Sequence, residues 1–359
     1  MRKVIFFQNN ISRIATDTSD FLMRFQLYYR IADKLLRSES LELNLLLGGV
    51  ERALSIPGIR VIKLSSSFFS QYLTLRGFLK EQRGQITLIA GDNHLSLLIC
   101  RLAKARNPNV RLQISIHMSI GALLKPINIL ERTKLKFLLV NIRYIDSIRV
   151  VSRADLEHLK RVITDYRGEI FVAPVPIEIP QVVPTRKGLS VVGIVGRLHD
   201  ERGVREYPAI LKELRFSVPA IQVVLVGDGP RRNWLEDQLC GFEPKPEFTG
   251  AIKQSDLRGK WAQIHVLLSC APSESYGMAL REALVNGVFV VARKNETTEL
   301  LQSQFPTMMR VFTNTTEAAR SVSIFFNEVF SEKMIIEVRS VIQSEQDKNL
   351  SQLVKSWFV

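Results

Sequence analysis

Glu274 and Glu282 stand with seven residues between them in the run Cys270–Ala292. The first falls in a loop after the apolar run Ile264–Ser269. The second falls inside a helix that begins near Gly277. A glycine at a helix start lets backbone approach a ligand closely. The unpaired N–H groups there favour an anion, and a phosphate suits them. Two carboxylates can accept hydrogen bonds from hydroxyls. Together these groups suit a ligand that carries both phosphates and hydroxyls, as a nucleotide-sugar does.

Other residues could join them. The segment Gly196-Arg197-Leu-His-Asp-Glu-Arg202-Gly203 follows an apolar run, Leu189–Val195. Its two arginines could hold a diphosphate, because a planar guanidinium grips phosphate oxygens at two points. The plainer alternative is a solvated loop in which Asp200 and Glu201 pair the arginines. Gly227-Asp-Gly229-Pro230 allows a tight turn close to a base or ribose. Glu282 shares a helix stripe with Met278 and Val285, and an acid on so apolar a face needs a partner, either Arg281 or a ribose diol. His117 closes a strand in the first half, where it is either structural or a donor to a sugar hydroxyl. The other four histidines and the three cysteines show no metal-ligand spacing. No Asp-x-Asp is present to hold a divalent ion against a diphosphate. No metal and no cofactor are therefore expected.

The elements that must position these residues alternate. In the second half, strands are expected at 189–195, 221–226, 247–249, 264–269 and 288–292, with helices between them. In the first half, strands are expected at 4–7, 59–64, 86–90, 110–117, 147–151 and 170–173, with helices at 21–36, 95–105, 130–140 and 156–163. Ser152 with Asp155 resembles a capping box. This rhythm means β-α units and parallel sheets covered on both faces. Ligands of such sheets sit at the carboxyl ends of the strands. The proline-rich stretch 174–188 reads as a stiff linker. It places a boundary near 180 between an N-terminal domain, 1–180, and a C-terminal domain, 181–344. A helix at 345–359 is expected to pack back on the first domain, and the cleft between the domains is the expected active site.

Charge divides unevenly. Residues 1–180 carry 27 Lys and Arg against 15 Asp and Glu, whereas residues 181–359 carry 22 against 20. The basic half suits an anionic partner such as a membrane surface, a phosphorylated lipid or nucleic acid. The segments 68–83 and 123–143 are the candidate contacts. No apolar run reaches the roughly 20 residues that span a bilayer, and the start reads as a strand rather than a leader. Widely spaced cysteines fit a reducing compartment.

The ordered set Gly196-Arg-Leu…Arg202-Gly203, Gly227-Asp-Gly-Pro230, Phe248-Thr-Gly250 and Pro272-Ser-Glu274-Ser275-Tyr276-Gly277…Glu282-Ala283 resembles the GT-B glycosyltransferases, in particular the retaining family 4 (glycosyl transferases group 1). The paired acids look like that family's Glu-x7-Glu motif. The resemblance is strong over about 189–300. It implies an α/β fold of two Rossmann-like domains facing each other across a cleft, with the acceptor on the first and the nucleotide-sugar donor on the second. It implies that Arg197 and Arg202 bind the donor diphosphate, with arginine at a position where the family usually has lysine. Glu274 would contact the donor sugar. The backbone of Ser275, Tyr276 and Gly277 would serve sugar and phosphate. Glu282 would hold the ribose, with Gly196, Gly227 and Gly229 lining the nucleotide, and His117 would stand near the sugar. The first half departs from the family's pattern, since Gln8-Asn9-Asn10 replaces its usual Gly-Gly loop.

The expectation is thus sugar transfer from a nucleoside diphosphate to a glycan or lipid-linked acceptor, with retention and without a metal, in polysaccharide, lipopolysaccharide or glycolipid synthesis. The expected place is the cytoplasm, peripherally on the inner face of the membrane. Other GT-B chemistry, of the epimerase type, is the alternative. So is a non-enzymatic protein that binds an anionic surface, and the intact set of arginines and glutamates makes nucleic acid the less favoured partner.

Overall fold

The computed structural model describes residues 2–11, 18–36, 40–50, 58–91, 94–117, 119–124, 129–182, 190–328 and 331–358. The chain forms two compact units, one of residues 1–176 with 346–359 and one of residues 177–345.

The first unit holds β1 (Arg2–Gln8), β2 (Leu41–Gly48), β3 (Ile59–Leu64), β4 (Ile86–Ala90), β5 (Val110–Ile116), β6 (Ser147–Val150) and β7 (Glu169–Val172). They form a parallel sheet in the order β3-β2-β1-β4-β5-β6-β7. Its helices are α1 (Thr18–Leu36), α2 (Phe68–Glu81), α3 (His94–Lys104), α4 (Ile120–Leu124), α5 (Ile129–Asn141) and α6 (Arg153–Val162). The pleat sends alternate residues to opposite faces. Ile5 and Phe7 pack with Tyr72, Leu75, Leu97 and Leu138 of α2, α3 and α5. Val4 and Phe6 pack with Phe21, Phe25 and Tyr28 of α1 and with Leu350, Leu353, Val354 and Trp357. Ser152 caps α6 as expected, its hydroxyl accepting from the Asp155 backbone N–H at 3.0 Å.

β2 was not expected from the sequence. Its segment, Leu-Glu-Leu-Asn-Leu-Leu-Leu-Gly, is rich in a good helix former. It becomes a strand because both its edges are paired, to β1 and to β3, and tertiary pairing overrides local propensity.

The second unit holds β8 (Val191–Val195), β9 (Gln222–Val226), β10 (Glu247–Gly250), β11 (Val266–Ser269), β12 (Phe289–Arg293) and β13 (Met309–Phe312), with helices α7 (Tyr207–Ser217), α8 (Arg232–Gln238), α9 (Gln254–Gln263), α10 (Met278–Val285), α11 (Glu296–Gln304) and α12 (Thr315–Phe326). The strand order is β10-β9-β8-β11-β12-β13, all parallel. The order reverses between β8 and β11, and ligands of such sheets sit beyond the carboxyl ends of the strands at that point. Residues 204–206 form a 3-10 turn, and α7 begins at Tyr207 with Pro208 in its first turn. A final helix, α13 (Glu332–Ser356), starts in the second unit, and its residues from 346 belong to the first. The linker residues 174–182 form neither helix nor strand, and 183–188 lie outside the described residues.

Candidate functional site

The reversal point of the second sheet collects most of the residues singled out above. The loop after β8 carries Gly196, Arg197 and Arg202. The loop after β9 carries Gly227 and Gly229. The loop after β11 carries Glu274, Ser275, Tyr276 and Gly277 and leads into α10, which carries Glu282. Main-chain bonds tie these loops together. The N–H of Leu198 donates to the Asp228 carbonyl at 2.9 Å, that of Arg231 to the Leu198 carbonyl at 3.0 Å, and that of Gly227 to the Gly250 carbonyl at 2.9 Å. Gly203 (φ 67°) and Gly227 (φ 135°) make this closeness possible. A Cβ on Gly203 would collide with the Cys270 carbonyl, and one on Gly227 with the Gly196 carbonyl. Only glycine fits both the backbone angle and the space.

Arg202 and Glu274 meet directly, Nη1 donating to Oε1 at 2.6 Å. The Glu274 side chain is 13% exposed and that of Arg202 36%. Burial raises the Glu274 pKa above the ordinary carboxyl range, and the charge of Arg202 and its hydrogen bond offset only part of that. Arg197 is exposed and donates to Glu201 at 2.6 Å. Such a surface pair is weak and easily exchanged. Asp200 takes different partners from those expected. It accepts from Arg231 and Arg205, whose hydrogen bonds lower its pKa to about 2. The solvated-pair alternative therefore describes Arg197, whereas Arg202 reaches across to the next loop.

Glu282 is buried on α10. It accepts from Gln254 Nε2 at 3.2 Å. Arg281, one of the two partners offered for it, goes elsewhere. Its Cζ lies 4.1 Å from the centroid of the Tyr276 ring, and its Nη1 lies 3.4 Å from Glu345 Oε2. α10 starts at Met278, and its N-cap, Gly277, has no side chain with which to cap that start. Its first-turn N–H groups have no acceptor within the helix.

Sequence reasoning missed the residues that hold the Glu274 loop. Thr297 Oγ1 donates to the carbonyls of Glu274 at 2.7 Å and Ser275 at 3.1 Å. Asn295 Nδ2 donates to the Ala271 carbonyl at 3.2 Å. Asn295 also forms a capping box with Thr298 at the start of α11, and the pattern Asn-x-x-Thr before a helix was the available signal. Tyr207 Oη accepts from the Cys270 N–H at 3.3 Å. The Cys270 thiol itself is buried, and burial raises its pKa, so it stays protonated and inert.

His117 lies in the first unit, just past β5, half-buried. At that sheet's own reversal point, between β1 and β4, Gln8 is fully buried. Its Oε1 finds no hydrogen-bond donor among the described residues. Asn9, beside it, is held by Gln71 Nε2 at 3.0 Å and Ser96 Oγ at 3.0 Å. Among the described residues no three His, Cys, Asp or Glu side chains are grouped as metal ligands.

Two parallel-sheet α/β units of this order define the GT-B fold. Sucrose-phosphate synthase from Thermosynechococcus elongatus superposes on the whole chain with a TM-score of 0.76 at 14% identity, covering 99% of that protein. The HepE protein of Anabaena, solved with UDP-glucose, superposes with a TM-score of 0.71 at 15% identity over 99% of both chains. In sequence, a family model described as Glycosyl transferases group 1 matches residues 190–323, a stretch that holds every site residue of the second unit. The gpi3 subunit of phosphatidylinositol N-acetylglucosaminyltransferase from Schizosaccharomyces pombe is 23% identical over 234 residues, 64% of this chain and 50% of that one. A GDP-mannose-dependent alpha-mannosyltransferase of Corynebacterium glutamicum is 32% identical over 99 residues, 28% of this chain and 22% of that one. The chain thus spans half or less of these curated relatives.

Proposed function

We propose that this protein transfers a sugar from a nucleoside-diphosphate sugar to an acceptor hydroxyl, with retention at the anomeric carbon. The observation that carries the reading is the cluster at the β8/β11 reversal point, where Arg197, Arg202, Glu274, Glu282 and the glycine-led start of α10 stand beyond two adjoining strand ends. The relatives named above are glycosyltransferases by title, one of them dependent on GDP-mannose and one acting on phosphatidylinositol, and a GT-B neighbour was solved with UDP-glucose.

In this reading the diphosphate lies between Arg197, Arg202 and the first N–H groups of α10. Negative charge grows there as the glycosidic bond breaks, and fixed positive groups stabilise it most at that moment. These groups serve in place of a metal. Glu282 accepts from the ribose hydroxyls. Glu274 accepts from hydroxyls of the donor sugar, and Arg202 turns from Glu274 to the phosphates. The acceptor hydroxyl attacks from the leaving-group face and passes its proton to the departing phosphate. That route keeps configuration without an enzyme nucleophile, unlike the two-carboxylate hydrolases. On the acceptor side, His117 and the buried Gln8 supply polar groups at the carboxyl ends of the first sheet. The acceptor is a glycan or a lipid-linked sugar, which places the product in envelope polysaccharide or glycolipid synthesis.

The test is a thermal-shift screen across UDP-, GDP- and ADP-sugars with the wild type, Arg197→Ala and Glu282→Ala. One sugar nucleotide should raise the wild-type melting point, and both variants should lose that shift. If no sugar nucleotide moves the melting point, or if the variants respond like the wild type, the donor site is misassigned. The anomeric coupling in the NMR spectrum of the product then decides retention against inversion.

A further inference from the structure

We infer that the outer surface of α2, α3 and α5 in the first unit is a docking face for an anionic lipid bilayer. The inference is independent of the donor reading, because it rests on another unit and another kind of contact. Eleven large apolar side chains are exposed among the described residues. Six of them sit on these three helices: Phe68, Phe69 and Leu73 on α2, Leu95 and Leu102 on α3, and Val140 on α5. The helices adjoin in that order, α2 against α3 and α3 against α5, so the six share one face of the sheet. Phe69 is 65% exposed and Val140 60%. Water is a poor environment for so much apolar surface, and clustering of this kind marks an interaction site.

The charge on the same helices selects the partner. Their sequences contain seven Lys and Arg and only two acids, Glu81 and Glu131. Some of the basic groups are occupied: Lys104 pairs with Asp146, and Arg101 lies over the Tyr144 ring. Lys80 and Lys136 are exposed, as is Arg83 just past α2, and no ion pair engages them among the described residues. On α2 the outward stripe runs Phe69, Leu73, Gly77 and Lys80, each about one helical turn after the last. A helix lying flat on a bilayer needs this arrangement, with apolar groups to enter the acyl boundary and cations to meet the headgroups. A nucleic acid would use the cations and leave Phe68 and Phe69 exposed.

The apolar groups also gather at one end. α2 follows β3 and α3 follows β4, so Phe68, Phe69 and Leu95 stand on the first turns of helices that begin at the carboxyl rim of the sheet. His117 follows β5 at the same rim. A bilayer held there would bring a lipid-linked hydroxyl to the rim where the first unit keeps its polar groups.

The experiment is co-sedimentation of the full chain with phosphatidylcholine vesicles, with and without phosphatidylglycerol, across a salt series. The expected result is binding to the anionic vesicles only, weakening with salt. Phe68→Ser with Phe69→Ser should lower partitioning about tenfold or more. Lys80→Glu with Lys136→Glu should abolish binding at low salt. Both double variants should keep the wild-type melting point and the wild-type shift with sugar nucleotide, since none of the four side chains touches the donor cluster. No binding to anionic vesicles at low salt would overturn the inference. So would equal binding to neutral vesicles, or undiminished binding by the phenylalanine variant. Displacement from vesicles by duplex DNA, which the phenylalanine variant then binds as tightly as the wild type, would reassign the face to nucleic acid.

Discussion

Glu274 is an acid whose setting opposes its own charge. Its folded pKa is raised, so the folded chain binds that proton more tightly than the unfolded chain does. By linkage, its contribution to stability falls as pH rises from the unfolded value, roughly 4.3, through the folded one. Glu274→Gln should therefore match the wild type in urea unfolding near that acid limit and exceed it at neutral pH. The same variant should lose about tenfold or more in transfer rate, because a neutral amide is a weaker partner for a sugar hydroxyl than a carboxylate. A variant that is less stable at neutral pH would show that the bond to Arg202 outweighs the burial. Glu282→Ala should weaken donor binding about tenfold to a hundredfold, read by titration calorimetry. Both acids stood out in the sequence as candidate ligand groups. Their protein partners were not: Gln254, at the start of α9, and Arg202, after β8, lie 28 and 72 residues away in sequence, and spacing along one helix says nothing of such neighbours.

The loops that carry these residues depend on close backbone approach. Gly203→Ala should cost about 3 kcal/mol, from a positive φ and a collision with the Cys270 carbonyl together, and the shift in urea midpoint measures it. Asn295→Ala removes the cap of α11 and should cost about 1 kcal/mol. It should also reduce donor binding, because the same side chain holds the Ala271 carbonyl on the strand side of the Glu274 loop. Most strands at the candidate site were legible from their short apolar runs, as Val191–Val195 was before Gly196. β2 was not, for its leucines carry no strand signature without the neighbours that pair them. β13 and the helices on either side of it were also missed, since their sequences bear no chemistry that draws attention.

At the scale of the whole chain, the polar residues on one face of the first sheet serve the last turn of α13. Thr87 Oγ1 donates to the Trp357 carbonyl at 2.6 Å, Gln113 Nε2 to the Ser356 carbonyl at 2.9 Å, and Arg2 Nη1 to the Phe358 carbonyl at 3.2 Å. A helix end leaves its final carbonyls unpaired, and here side chains on β1, β4 and β5, those of Thr87 and Gln113 buried, donate to them. Trp357 is 2% exposed against the aromatic row of α1. Trp357→Ala should cost about 3–5 kcal/mol. Because the loss falls on the first unit, a two-step melt should appear in which sugar nucleotide protects only the later transition.

That arrangement has a consequence for how the protein is made. Residues 1–176 leave the ribosome before the second unit, yet the part of one sheet face that α1 shares with residues 350–357 stays half covered until those residues arrive, after the whole second unit has been synthesised. Domains commonly fold in order of synthesis. Here the first-made unit cannot finish first. In the interval the apolar surface that the last helix covers is bare, and a chaperone that binds such surface should hold nascent chains stalled before residue 346 and release those that extend past Trp357.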